Sequence, residues 1–285
     1  MTDFGPIHVV EPRAPHAHTI ILLHGRGSTG EEFAKELFES KLSTGKTLQE
    51  HLGSWRWVFP SSAELWSTAF EEDMPAWFEA HSLTDTTARQ DLQMAGIRDS
   101  VRYLTRLLGQ EVDRLGGSSG KVVLSGISQG GAIGLWSLLC AGADGAAGRL
   151  GGFVGASAWL PFADELERHL GREAQAQQDT IRAADTGEVD SDAFLEELAG
   201  ATRGTLREPN ASQQGLLSVP VFLGHGTDDA YVDVSLGRRA AVVLGKIGLR
   251  VEWREYSGAE QEGHWLKEPE ELDDIVRFLE SISAV

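Results

Sequence analysis

Residues 121–131 read KVVLSGISQGG. A short apolar run, Val122 to Leu124, leads into Gly126-x-Ser128-x-Gly130, and an apolar stretch follows from Ala132 to Leu139 with no turn signal before Gly142. No other stretch limits the local fold as strongly. A strand has to end, reverse sharply at Ser128 and pass straight into a helix, and a turn that tight needs neighbours without a Cβ. With 33 glycines in 285 residues, about 0.3 such glycine-serine-glycine matches arise by chance, so the pattern gains weight only from the strand and helix around it. At such a corner the Ser128 hydroxyl is exposed at a helix N-terminus, where partial positive charge favours developing negative charge. Ser128 is therefore a candidate nucleophile.

The rest of the chain alternates strand-like and helix-like runs. Strands are expected at 18–25, 55–60, 121–124, 151–161, 219–226 and 251–256, and helices at 31–40, 91–116, 129–141, 235–248 and 269–282. This alternation predicts an α/β fold, a mostly parallel central sheet with helices on both faces. Residues 162–218 break the rhythm. They are polar, rich in Glu, Asp, Gln, Ala and Arg, with helical fragments and no strand signal. We expect one domain over 1–285 carrying a helical, lid-like insertion at 162–218, whose apolar content is too thin for a core of its own.

Composition narrows the function classes. A net charge of −18 argues against nucleic acid and anionic membrane surfaces as partners. No apolar run approaches the length of a membrane span, and the first residues lack a basic start followed by an apolar run, so a cytoplasmic setting is expected. The one cysteine, Cys140, excludes an internal disulfide and reads as a small core residue of the helix after Ser128.

A serine hydroxyl needs a base, and the base needs an orienting carboxylate. In a parallel sheet with this turn, the order along the chain is serine, acid, histidine. His169, His225 and His264 follow Ser128. His169 sits in the polar insertion. His225 ends an apolar strand, where it props up the loop that follows. His264 lies in GAEQEGHWLKEPEE, a loop between the last strand and the last helix, and is the expected base. The acid belongs in HGTDDAYVD, and spacing does not separate Asp228, Asp229 and Asp233. An oxyanion needs two preorganised donors. One is the amide of Gln129, and the other comes from LLHGRGSTG (22–30), which lacks the Gly-Lys-Ser/Thr ending of a phosphate loop.

These pieces together resemble the acyl-protein thioesterase / carboxylesterase (phospholipase/carboxylesterase) family of α/β-hydrolases. The resemblance rests on LLHGRGSTGEEFA, MPAWFE (74–79), GISQGGAIGL (126–135), ASAWLPF (156–162) and HGTDDAYV (225–232), followed by the Gly-His loop. It implies Ser128 as nucleophile, His264 as base and Asp229 as acid. It also implies oxyanion donors on the backbones of Arg26 and Gln129, and an acyl pocket near Trp77, Trp159 and Leu160. The chain departs from the family at Arg26, usually apolar, at Ser28, usually acidic, in the loop before His264, and in the size of the insertion. An Arg beside the oxyanion loop suits an anionic or polar substrate group.

The expected activity is cleavage of carboxylic esters or thioesters, from small molecules or acylated proteins, through an acyl-enzyme on Ser128. No cofactor or metal is called for. Competing expectations are an esterase or lactone hydrolase for a small metabolite, an acyltransferase shielded from water by the insertion, and a non-catalytic binding protein on the same fold. A monomer and a homodimer are both compatible with the sequence.

Overall fold

The computed structural model describes residues 2–141, 150–168 and 216–283. Its centre is a seven-stranded sheet. The strands are β1 (Ile7–Val10), β2 (His18–Leu23), β3 (Trp55–Pro60), β6 (Val122–Ile127), β7 (Gly152–Ala156), β8 (Pro220–Gly226) and β9 (Arg250–Tyr256). They lie side by side in the order β1-β3-β2-β6-β7-β8-β9. Only β1, on the edge, pairs antiparallel; every other neighbour is parallel. Two further strands, β4 (Ala63–Ser67) and β5 (Glu72–Ala76), form a separate antiparallel hairpin.

Strand periodicity sorts the core. Side chains alternate between sheet faces, so Ile21 and Leu23 join one apolar cluster while Ile20 and Leu22 join another. The first cluster packs under α3 (Gln90–Arg114), α4 (Gln129–Ala141) and α5 (Val234–Ile247). The second packs under α1 (Gly30–Glu39), the single turn α2 (Leu48–His51) and α6 (Glu270–Ser283). Both faces are covered, as parallel sheets require. Helix starts follow capping chemistry: Thr29 and Glu32 form a capping box at α1, and Asp233 accepts from Ser235 N at α5.

The parallel core was legible in the sequence; two elements, β1 and the β4–β5 hairpin, were not, and one expected strand needs correction. β1 is a four-residue edge strand with no fully buried position, so its hydrophobic signal is weak. The β4–β5 hairpin turns through Thr68 to Glu71 without Gly or Asn, Glu71 instead taking a positive φ of 56°; no turn signature marks it. The strand expected over 151–161 ends at Ala156, because Ser157 turns into the left-handed region at φ 47° and carries the following apolar residues off the sheet. Of the expected insertion, residues 169–215, His169 included, lie outside the described residues. Residues 163–168 are helical, and Asp164 and Glu167 pair with Arg239 on α5. Among the described residues no helix is long and apolar enough to cross a membrane.

Candidate active site

The turn after β6 has the expected strain. Ser128 sits at φ 54°, a conformation that L-residues avoid. Its amide donates to Ala156 O at 2.9 Å, and its carbonyl accepts the first bond of α4 from Ala132 N at 3.0 Å. The flanking glycines are required by contact. A Cβ on Gly126 would lie 2.4 Å from Gly130 C, and one on Gly130 would lie 2.2 Å from Leu23 O. Both obstacles are backbone, which cannot rotate away. Gly130→Ala is therefore expected to destabilise the fold by about 3 kcal/mol. Gly245 on α5 meets nothing within 4 Å, so Gly245→Ala is expected to stabilise by up to about 1 kcal/mol. Thermal unfolding of the two variants checks the contrast; equal melting temperatures would remove the steric account.

The acid and base loops interlock. His264 Nδ1 lies 2.8 Å from Asp229 Oδ2. Asp229 Oδ1 accepts from the amides of Tyr231 and Val232, both at 2.9 Å. Two glycines let the loops touch: a Cβ on Gly263 would sit 2.6 Å from Asp228 O, and one on Gly226 2.2 Å from Gly263 O. Ala230 N also donates to Glu262 O at 3.1 Å. Trp265, the next residue after His264, is anchored in the core edge-on to Phe33 at 5.9 Å. The other two carboxylates of this loop are otherwise employed. Asp228 Oδ2 accepts from Gly258 N at 2.9 Å, and Asp233 caps α5.

His225 props the acid loop, as its position suggested. It is buried, with Nε2 2.9 Å from Val232 O and 3.4 Å from Asp229 Oδ2. Burial raises the Asp229 pKa, but the hydrogen bonds from His225, His264 and the Val232 amide outweigh it and hold the carboxyl below its usual range. Ser128 follows β6, two strands from β8, so the ends of these strands lie about 10 Å apart.

On the other side of Ser128 lies the loop after β2. A Cβ on Gly25 would be 3.4 Å from Ser128 Cβ. His24 fixes this loop. It is fully buried, with Nδ1 2.7 Å from Gly25 O and Nε2 accepting from Ser62 N at 3.0 Å. Burial lowers its pKa to about 4, so the imidazole is neutral. Sequence reasoning passed over His24 because a lone buried histidine carries no pattern. The Gln129 amide is the first of α4 and has no intrahelical acceptor. Arg26 donates from Nη1 to Ala80 O at 2.9 Å and lies 5.0 Å over the Phe70 ring.

Trp77, Trp159 and Leu160 are all core residues, at 1%, 1% and 4% exposure. Trp77 Nε1 donates to His24 O at 2.9 Å, and Trp159 packs edge-on against Phe78. Tyr231, 5.3 Å from the His264 ring, is exposed.

Beneath the acid loop sits a buried carboxyl group that the sequence did not single out. Glu271 on α6 is 2% exposed, accepts Lys267 N at 2.9 Å and lies where a side chain on Gly224 would go. Burial, reinforced by Asp274, pushes its pKa up to about 8 against the pull of the Lys267 amide. The folded state then holds a proton that the unfolded chain has lost, so the contribution of Glu271 to stability falls as pH rises from about 4.5 to about 8, by about 1.4 kcal/mol per unit. Glu271→Gln keeps the acceptor for Lys267 N and should flatten that decline in urea unfolding across this range. An unchanged slope would remove Glu271 as its source.

With this geometry in view, the comparisons with known proteins define the class. The Phospholipase/Carboxylesterase family profile matches residues 5–179, and the chain belongs to that family: it has the α/β-hydrolase fold and is a hydrolase of ester-type bonds. It is 28% identical over 269 residues to acyl-protein thioesterase 1 of Gibberella zeae, covering 93% of this chain and 90% of that protein. It is 25% identical over 274 residues to acyl-protein thioesterase 1 of Yarrowia lipolytica, covering 95% and 94%. The crystal structure of Zea mays acyl-protein thioesterase 2 shares the fold with a TM-score of 0.70 at 24% identity, covering 98% of this chain and 99% of that one.

Proposed function

We propose that Ser128, His264 and Asp229 form the catalytic triad of an acyl-protein thioesterase-like carboxylesterase acting on acylated proteins or small acyl esters. The observation that carries this is the 2.8 Å His264–Asp229 contact, supplied from two interlocked loops on the edge of the sheet where Ser128 occupies its strained turn.

In this reading His264 Nε2 takes the Ser128 hydroxyl proton as Oγ attacks the ester or thioester carbonyl. The amides of Arg26 and Gln129 hold the oxyanion. Collapse of the intermediate breaks the acyl bond to the leaving oxygen or sulfur, which receives the proton from His264. Water, deprotonated by the same histidine, then attacks the acyl-enzyme and releases the carboxylic acid with Ser128 regenerated. Asp229, kept ionised by its donors, holds the Nδ1–H tautomer of His264 that leaves Nε2 free to accept. The thioesterase relatives support acylated proteins as substrates, and the single cysteine agrees with a cytoplasmic setting.

The test is a panel of activated esters and acyl thioesters of increasing chain length, with Ser128→Ala in parallel. Ser128-dependent turnover that rises with chain length, strongest on thioesters, is expected. Turnover confined to the shortest esters would shift the substrate to small metabolites. Absence of both turnover and fluorophosphonate labelling would overturn the triad.

A further inference from the structure

We propose that the backbone segment Trp77–Ala80 braces the oxyanion hole, and that it does so through the side chains of the same two residues, Arg26 and Gln129, whose amides bind the oxyanion. The inference rests on the function proposed above.

The Gln129 side chain is fully buried and reads the segment on both sides: Oε1 accepts from Trp77 N at 2.9 Å, and Nε2 donates to Phe78 O at 2.8 Å. Two residues further on, Ala80 O accepts from Arg26 Nη1 at 2.9 Å. Gly27 N donates to Pro75 O at 2.8 Å, just before the segment. One guanidinium N–H of Arg26 is thereby bonded to the segment, and the charge lies over the exposed Phe70 ring of the hairpin.

The segment is itself anchored independently. Ser100 Oγ donates to Trp77 O at 2.6 Å, and α3 presses so close at Gly96 that a Cβ there would lie 2.7 Å from Phe78 Cα. Trp77 Nε1 ties the segment back to His24 O, beside the oxyanion loop. Arg26 lies in the loop after β2 and Gln129 opens α4 after β6. The β2–β6 pairing, Leu23 opposite Gly126, sets the spacing of the strand ends, and the shared Trp77–Ala80 support holds the two residues beyond them. Preorganised donors are effective because they need no rearrangement when charge develops. Loosening the support should then cost transition-state stabilisation and leave ground-state binding intact.

Arg26 and Gln129 side chains are thus positioning residues, and steady-state hydrolysis of p-nitrophenyl butyrate tests them. Arg26→Met keeps the backbone N–H and the apolar stem but loses the bond to Ala80 O. We expect kcat to fall about 10-fold with KM within about two-fold. Fluorophosphonate labelling should slow in step, and Arg26→Lys should recover part of the loss. Gln129→Met should lose about 100-fold, and the double variant should lose less than the product of the singles because both act through one support. Arg26 is partly exposed, so its variants keep the proposal testable if Gln129→Met fails to fold.

A rise in KM with kcat intact would place the guanidinium on the substrate and overturn the brace. So would unchanged kinetics in Arg26→Met, or a lowered melting temperature with full kcat per folded molecule. Failure of the underlying function would be seen separately, as wild-type turnover that is absent or survives Ser128→Ala.

Discussion

Replacing Ser128 by alanine is expected to lower kcat on an activated ester by about 10⁴-fold or more, to near the background rate, because it removes the proposed nucleophile. The fold should be untouched. The turn holds Ser128 at φ 54°, which strains alanine as much as serine. The hydroxyl is small and only the backbone atoms of Ser128 bond Ala156 O and Ala132 N. His264→Ala should cost a similar factor, and the double variant should be no worse than Ser128→Ala, since the two act as one unit. The measurement is hydrolysis of p-nitrophenyl butyrate alongside thermal unfolding. Ester turnover that persists in folded Ser128→Ala would exclude Ser128 as nucleophile.

The second large effect separates two adjacent carboxylates. Asp229→Asn should reduce kcat by about 10⁴-fold, whereas Asp228→Asn should cost less than about ten-fold. The reason is tautomeric. Oδ1 of Asp229 accepts two backbone amides, so asparagine will keep its carbonyl oxygen there and turn its NH₂ toward His264. Nδ1 must then accept, the ring proton moves to Nε2, and the histidine can no longer take the serine proton. In Asp228→Asn the side-chain carbonyl can still accept from Gly258 N, as the Asp228 carboxylate does. Stability provides a second readout. Because the folded-state pKa of Asp229 is depressed, its contribution is present above about pH 4, the unfolded value, and is lost as pH falls further. Asp229→Asn should flatten that acid limb. A larger kinetic loss in Asp228→Asn than in Asp229→Asn would reverse the assignment.

Much of this was written in the sequence because it is local. A strand of alternating apolar residues, a helix with apolar spacing, and glycines bracketing a serine each leave a signature within a dozen residues. The parallel sheet, the Ser128 turn and the loops bearing Asp229 and His264 were therefore legible. The four-residue β1 and the hairpin without turn residues were not, since their pairing is decided by what they dock against.

The sequence by itself determined the order of the chemistry: a serine at a strand-to-helix corner, then acids, then a histidine in a glycine-bearing loop. Spacing left Asp228, Asp229 and Asp233 open, the family resemblance pointed to Asp229, and the tertiary structure shows which of the three carboxylates meets His264. It did so because Gly226 and Gly263 bring two backbones into contact and aim one carboxylate at His264 while the others bond Gly258 N and the start of α5. The same holds for Gln129 and Arg26. The oxyanion role proposed for the Gln129 amide follows from its position and that for the Arg26 amide from the family resemblance, but the partners of their side chains follow from neither, because hydrogen bonds between distant segments depend on packing that no local pattern encodes.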